Sequence, residues 1–168
     1  MSDKRLAGRK ALVTGVGRAI GPSIVQRFAE CGAHVAAANR TLNTAQTVTN
    51  ALQQQGLSAI ALPLDLEGPD GAAAAVQDAA DQLGGLDIVV HNAGVCPWSP
   101  LETLEESDLE TTLSINLKAC FRLVKAALPW LRQSGRGRFL VTSSVTGPRV
   151  AMPGAVHYGA AKAGVNAF

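Results

Sequence analysis

The chain is poor in cysteine, in aromatics and in charge of either sign. Three cysteines, Cys31, Cys96 and Cys120, stand far apart in 168 residues, with no Cys-x-x-Cys pair. An odd and scattered set argues against a disulfide framework and a cysteine-built zinc site, and points to a reducing cytoplasm. The three histidines are scattered too, without a His-x-x-x-His spacing, so no metal site is expected. Lys+Arg number 15 against 13 Asp+Glu, a net charge of +2 with no basic block. Neutralising a phosphate backbone needs clustered Lys and Arg, so nucleic acid is not an expected partner. No apolar run approaches the roughly 20 residues that cross a bilayer. The polar start, Met1-Ser2-Asp3-Lys4-Arg5, has no signal-like apolar stretch behind it, and no membrane partner is expected. What is present is 47% hydrophobic residues with 17% charged ones, in a length that suits one domain. That composition can bury a core and is far from that of a disordered chain.

Short apolar runs alternate with helical patterns. Lys10–Thr14, between Gly8 and Gly15, reads as a buried strand. Ile20, Ile24 and Phe28 then recur every four residues, with Pro22 in the first helical turn and Gly32 past the end. His34–Ala38 reads as a second strand, Leu42–Gln55 as a helix closed by Gly56, and Ala59–Leu62 with Leu64 as a third strand interrupted by Pro63. Ala72–Leu83 reads as a helix ending at Gly84-Gly85, and Leu86–Val90 as a fourth strand. Thr103-x-x-Glu106 has the form of a capping box opening a long helix through Leu109, Leu113, Leu117, Phe121 and Leu128. Arg138–Thr142 reads as a fifth strand, and residues 154–168 as a last helix. Strands alternating with helices predict an α/β fold, a doubly wound parallel sheet of about five strands with helices on both faces. The whole span, 1–168, reads as a single domain.

Two places carry chemistry. Thr14-Gly15-Val16-Gly17-Arg18-Ala19-Ile20-Gly21 joins the first strand to the first helix. Such a turn aims a helix N-terminus at a phosphate, and no P-loop Lys-Ser/Thr follows. The second strand ends Asn39-Arg40 with no acid to grip a ribose hydroxyl. With Arg18 in the glycine turn, two arginines and no carboxylate favour NADP(H) over NAD(H), because arginine grips a phosphate through paired hydrogen bonds. Further on, Tyr158 and Lys162 share one helical face at i and i+4, and Tyr158 is the only tyrosine. A nearby ammonium favours the phenolate, which makes Tyr158 a candidate general acid/base.

Taken together, the motifs from Lys10 to Phe168 resemble the short-chain dehydrogenase/reductase family. They are Thr14-Gly15-x-x-x-Ala19-x-Gly21, Leu64-Asp65-Leu66, His91-Asn92-Ala93-Gly94, Ile115-Asn116-Leu117, Thr142-Ser143-Ser144 with Gly147, and Tyr158-x-x-x-Lys162. The resemblance implies a Rossmann-like NAD(P)-binding domain and hydride transfer between a nicotinamide cofactor and a ketone or secondary alcohol. It implies a catalytic set of Ser144, Tyr158, Lys162 and Asn116. Tyr158 would exchange a proton with the substrate oxygen and Ser144 would donate a hydrogen bond to it. Lys162 would favour the phenolate and bond the nicotinamide ribose, and Asn116 would hold a water of a proton relay. Gly15, Arg18, Ile20, Gly21, Asn39, Arg40, Asp65, Leu66, Asn92, Ala93 and Gly94 would border the cofactor, with Tyr158 and Lys162. A homodimer or homotetramer is implied as well.

Three departures stand out. Ala19 replaces a family glycine, a methyl expected to be tolerated. His91 replaces an asparagine and is expected to bond nearby backbone, while His157 is expected to be a mere neighbour of Tyr158. The sequence also stops inside the Tyr/Lys helix, ahead of the strands that close the substrate pocket in the family. The expectation is therefore an oxidoreductase, with a catalytically idle nucleotide-binding or assembly fragment as the alternative.

Overall fold

The parallel reading requires the inner apolar runs to be buried on both faces, and the computed structural model shows this for the three central strands, while the two edge strands are partly exposed. It describes residues 4–168, so the first three residues of the polar start and of the 1–168 span lie outside the described residues. Five strands form one sheet: β1 (Lys10–Thr14), β2 (His34–Asn39), β3 (Ala59–Pro63), β4 (Ile88–His91) and β5 (Arg138–Val141). Their order is β3-β2-β1-β4-β5, and each neighbouring pair is parallel. Leu12 pairs with Ala36 on one side and Val89 on the other, which sets β1 at the centre.

Helices α1 (Ile20–Glu30) and α2 (Leu42–Gln53) follow β1 and β2, and α3 (Gly71–Leu83) crosses from β3 to β4. Between β4 and β5 the helical run consists of α4 (Glu106–Leu113), a π-helical turn at Ser114–Lys118 and α5 (Ala119–Gln133); α6 (Val156–Ala167) follows β5. Strand residues alternate between two cores. Ala11, Val13, Val35, Ala37 and Val90 pack with Val25, Ala29 and Leu52 of α1 and α2. Leu12, Ala36, Ala38 and Val89 pack with Val76 and Ala79 of α3 and Leu123 and Ala127 of α5. Burial on both faces is why these strands are apolar without alternation.

The element boundaries differ at points with physical causes. Thr103 does not cap the long helix. It lies in a 3-10 turn at Leu101–Thr103, its hydroxyl facing the Pro100 carbonyl at 3.4 Å, and α4 begins after Glu105. Glu106 and Asp108 in the first turn complement the helix dipole in place of a cap. Pro63 ends β3 rather than interrupting it, which an edge strand tolerates. Gly84 takes the left-handed conformation (φ 73°) that closes α3. Asp87, just before β4, is buried at the amino ends of the strands. It accepts hydrogen bonds from the Lys10 N–H (2.9 Å), the Ser134 hydroxyl (2.6 Å) and Arg136 Nε (3.2 Å). Burial disfavours its charge, but these donors together hold its pKa below the usual carboxylate value. Asp87 therefore pins β1, β4 and β5 at the end of the sheet opposite the site described next.

Candidate active site

With strand order 3-2-1-4-5, the connections leave β1 in opposite directions, and a crevice opens at the carboxyl ends of the strands. A cleft of about 680 Å³ lies there. Gly15, Asn39, Leu64, Asn92 and Thr142, each at or just past the end of a different strand, all line it.

The glycine turn forms one wall. Gly15 has φ +72°, and a Cβ there would come within 2.4 Å of Ala93 Cα, so the turn and the loop after β4 touch backbone to backbone. Gly21 opens the buried side of α1, and Ile20 lies exposed beside it. Ala19 adopts φ 53°, ψ −120°, the geometry of a first central type II′ turn residue, where glycine is usual. The methyl is thus accommodated with the glycine-like backbone intact. Gly17 packs against the Asn39 side chain, which sets Arg18 beside the end of β2. Arg18, Asn39, Arg40, Asp65 and Leu66 all border the same end of the cleft.

Thr14 locks the strands under this wall. Its buried Oγ1 accepts the N–H groups of Asn92 and Ala93, both at 3.1 Å, and lies 3.2 Å from His91 Nδ1. His91 Nε2 donates to the Ile115 carbonyl at 3.1 Å, so Nδ1 accepts from the Thr14 hydroxyl and the ring is neutral. Burial, aided by the nearby Lys162 charge, pushes its pKa down to about 4. His91 is thus a structural histidine bonding its surroundings, as expected. Asn92 is also held: Nδ2 donates to the Gly15 carbonyl (2.9 Å) and Oδ1 accepts from the Thr142 hydroxyl (3.0 Å). Its side chain ties the glycine turn to the end of β5.

The opposite end gathers the candidate catalytic groups. Lys162 is buried, and Nζ donates to the Thr142 carbonyl at 2.8 Å and sits 5.6 Å from the centre of the Tyr158 ring. Burial lowers its pKa, against a weaker opposing influence from Cys120. Asn116 lies within the π turn, a distortion that recurs at functional sites. Its Nδ2 donates to the carbonyls of Val95 (2.8 Å) and Thr112 (2.9 Å), while its buried Oδ1 has no partner. A Cβ on Gly94 would fall 2.8 Å from that Oδ1 and 3.8 Å from Lys162 Nζ, so only a glycine leaves this space open. Ser143 Oγ is also buried without a partner and borders the cleft. Ser144 does not line the cleft; its Oγ accepts the Thr146 N–H at 3.1 Å.

Sequence reading missed several groups. Glu67 pairs with Arg40 at 3.0 Å. Ser114 and Arg122 hold the loop after β3 through the carbonyls of Leu66, Glu67 and Gly68. Cys96 is exposed at the rim. His157 is more than a neighbour: Nε2 donates to the Pro97 carbonyl at 3.0 Å and ties the loop after β4 to α6. None of these has a spacing signal, because each partner arrives from a different strand end. Among the described residues, no three His, Cys, Asp or Glu side chains gather as a metal site would need, and no helix is long and apolar enough to cross a membrane.

The short chain dehydrogenase family model matches residues 9–168. The chain belongs to the short-chain dehydrogenase family. Oxidoreductase UcpA of Escherichia coli is 33% identical over 161 residues, 96% of this chain and 61% of that protein. The 3-oxoacyl-(acyl-carrier-protein) reductase FabG of Vibrio cholerae is 34% identical over 97% of this chain and 65% of its own length. The chain thus spans about three fifths of the length of such curated relatives. A short chain dehydrogenase from Burkholderia cenocepacia, solved in complex with NADP, superimposes with a TM-score of 0.89 at 36% identity, covering 96% of this chain and 65% of its own. A putative short-chain alcohol dehydrogenase from Sinorhizobium meliloti gives 0.91 at 38%, covering 97% and 64%. The five-stranded Rossmann-like sheet is the family's fold.

Proposed function

We propose that this short-chain dehydrogenase is a nicotinamide-dependent oxidoreductase acting on a small-molecule ketone or secondary alcohol, with NADP(H) preferred. The observation that carries the reading is the cleft itself. It joins a glycine turn and two arginines at one end to Tyr158 and Lys162 at the other. The residues fit a dinucleotide: the backbone of Gly15 and Gly94 clears the space, unpartnered Ser143 Oγ borders it, and unpartnered Asn116 Oδ1 lies just behind Gly94. Gly15 and Ile20 would face the pyrophosphate, with Gly21 packed beneath them against the Gly15 carbonyl and outside the cleft lining, Asp65 and Leu66 the adenine, and Asn92, Ala93, Gly94, Tyr158 and Lys162 the nicotinamide half. Asn39, Arg40 and Arg18 would surround the ribose 2′ position. When bound, the cofactor supplies hydride transfer at the substrate carbon.

The protein's part is proton exchange and positioning. Tyr158 gives its hydroxyl proton to the carbonyl oxygen in reduction and accepts it back in oxidation. Lys162, anchored on the Thr142 carbonyl, keeps its ammonium beside the ring. Ser144, just outside the cleft lining, accepts the Thr146 N–H, which leaves its own proton to donate toward a substrate oxygen held by Tyr158. Asn116, doubly anchored through Nδ2, keeps Oδ1 available to a water of the relay. The reading treats the span as one dinucleotide-binding domain, with a homodimer or homotetramer as its assembly. Exposed Phe121 and Leu128 on α5 support assembly, and three unpaired cysteines support a cytoplasmic setting.

Fluorescence titration with NADPH and NADH, followed by a ketone screen, tests the reading. NADPH is expected to bind more tightly. Tyr158→Phe is expected to retain binding and lose turnover by about 10²- to 10⁴-fold, the range of general acid/base contributions. Unchanged turnover in Tyr158→Phe, or no nucleotide binding, would overturn it.

A further inference from the structure

The end of β2 carries no acid, yet a carboxylate reaches it from elsewhere in the fold. Glu67, in the loop after β3, lies 3.0 Å from Arg40 Nη1, and both line the cleft with Arg18, Asn39 and Thr41. The Glu67 backbone is held at both ends. Its N–H donates to Asp65 Oδ1 at 2.9 Å, and its carbonyl accepts the Ser114 hydroxyl at 2.9 Å. Among the described residues its carboxylate pairs with Arg40 alone, and the two side chains are 47% and 75% exposed. The pair is therefore a fixed backbone presenting a carboxylate that can swing away. A phosphate bound by Arg40 meets that carboxylate at the same guanidinium, where Glu67 already engages Nη1 and carries charge of the same sign.

We infer that Glu67 is a specificity-determining residue, a tethered carboxylate that competes with the ribose 2′-phosphate for the Arg40 guanidinium and weakens the preference for the phosphorylated cofactor. The inference rests on the NADP(H) reading above. Its sign is opposite to that of Arg40: removing Arg40 lowers the preference, and removing the Glu67 charge raises it. The effect is modest because exposed ion pairs contribute little.

The test uses adenosine 2′,5′-bisphosphate and adenosine 5′-monophosphate, which differ only in the 2′-phosphate. Calorimetric titrations are made on the wild type, Glu67→Gln, Arg40→Gln and the double variant. Glu67→Gln is expected to bind the bisphosphate about two- to fivefold more tightly, with the monophosphate unchanged. Arg40→Gln is expected to weaken the bisphosphate about tenfold. In the double variant the gain from Glu67→Gln should vanish, the signature of two groups acting on one site. A gain of equal size without Arg40 would overturn the competition and leave plain charge repulsion. No gain in Glu67→Gln, while Arg40→Gln still weakens the bisphosphate, would overturn the role of Glu67 and spare the cofactor reading. An unaffected bisphosphate in Arg40→Gln would overturn both.

Discussion

Ala19 offers the sharpest quantitative test of the glycine turn. It is the only non-glycine residue with positive φ among the described residues, at φ 53° and ψ −120°. Holding a side chain in such a sparsely populated region costs about 1–3 kcal/mol. Ala19→Gly removes that strain, but glycine adds about 0.4–1 kcal/mol of backbone freedom to the unfolded chain. The methyl is exposed, so its removal takes little packing away. The balance is a stabilisation of about 1 kcal/mol, with a span set by the strain. For a chain of this size that is a rise in Tm of about 2–4 °C. Urea unfolding should show a higher midpoint with an unchanged slope. Ala19→Val should move the other way by more than it gains, because a β-branched side chain suits positive φ least. An unchanged or lower Tm in Ala19→Gly would refute the claim that the turn is strained at this residue.

His91 predicts an acid limb. Its pKa is about 4 in the folded chain against 6.5 when unperturbed, so between these values the unfolded state binds the proton and the native state does not. Stability is therefore full above about pH 7 and falls by roughly 3 kcal/mol as pH drops to about 4, and His91→Asn should flatten that limb in pH-dependent urea titrations. The loss from Asp87, whose folded pKa lies below the ordinary carboxylate value, begins lower, so the two can be separated. Gly94→Ala should bring a methyl to within 2.8 Å of Asn116 Oδ1, which its two Nδ2 bonds hold in place. A loss of about 1–3 kcal/mol with weakened nucleotide binding is expected by thermal melt and titration. Iodoacetamide with intact-mass detection should modify Cys96 first, since Cys31 and Cys120 are buried and burial pushes the Cys120 thiol up to about 11. NADPH should protect Cys96, which borders the cleft; labelling unaffected by saturating NADPH would count against this cleft as the nucleotide site.

Features that depend on neighbours in the chain could be read from the sequence. Apolar runs such as Lys10–Thr14 had to be strands buried on both faces, and Tyr158 and Lys162 had to share a helical face. The glycine turn and the arginines beside it were equally local. Reading failed where a local pattern had a rival: Thr103 matched a capping box, but its hydroxyl faces Pro100 and the helix begins three residues later. The π turn at Ser114–Lys118 left no mark in a continuous helical pattern.

The order of strands and helices, the doubly wound class and the residue types at the strand ends follow from the amino-acid sequence by itself, because periodicity and turn chemistry act over a few residues. Tertiary structure alone decided which strand ends meet. Thr14 reaches His91 across 77 positions, Lys162 reaches Thr142 across 20, and Glu67 reaches Arg40 across 27. Those meetings depend on β1 lying between β2 and β4, so that loops distant in the chain converge on one edge of the sheet. A carboxylate missing from the end of β2 is thus supplied from beyond β3, by packing rather than by spacing.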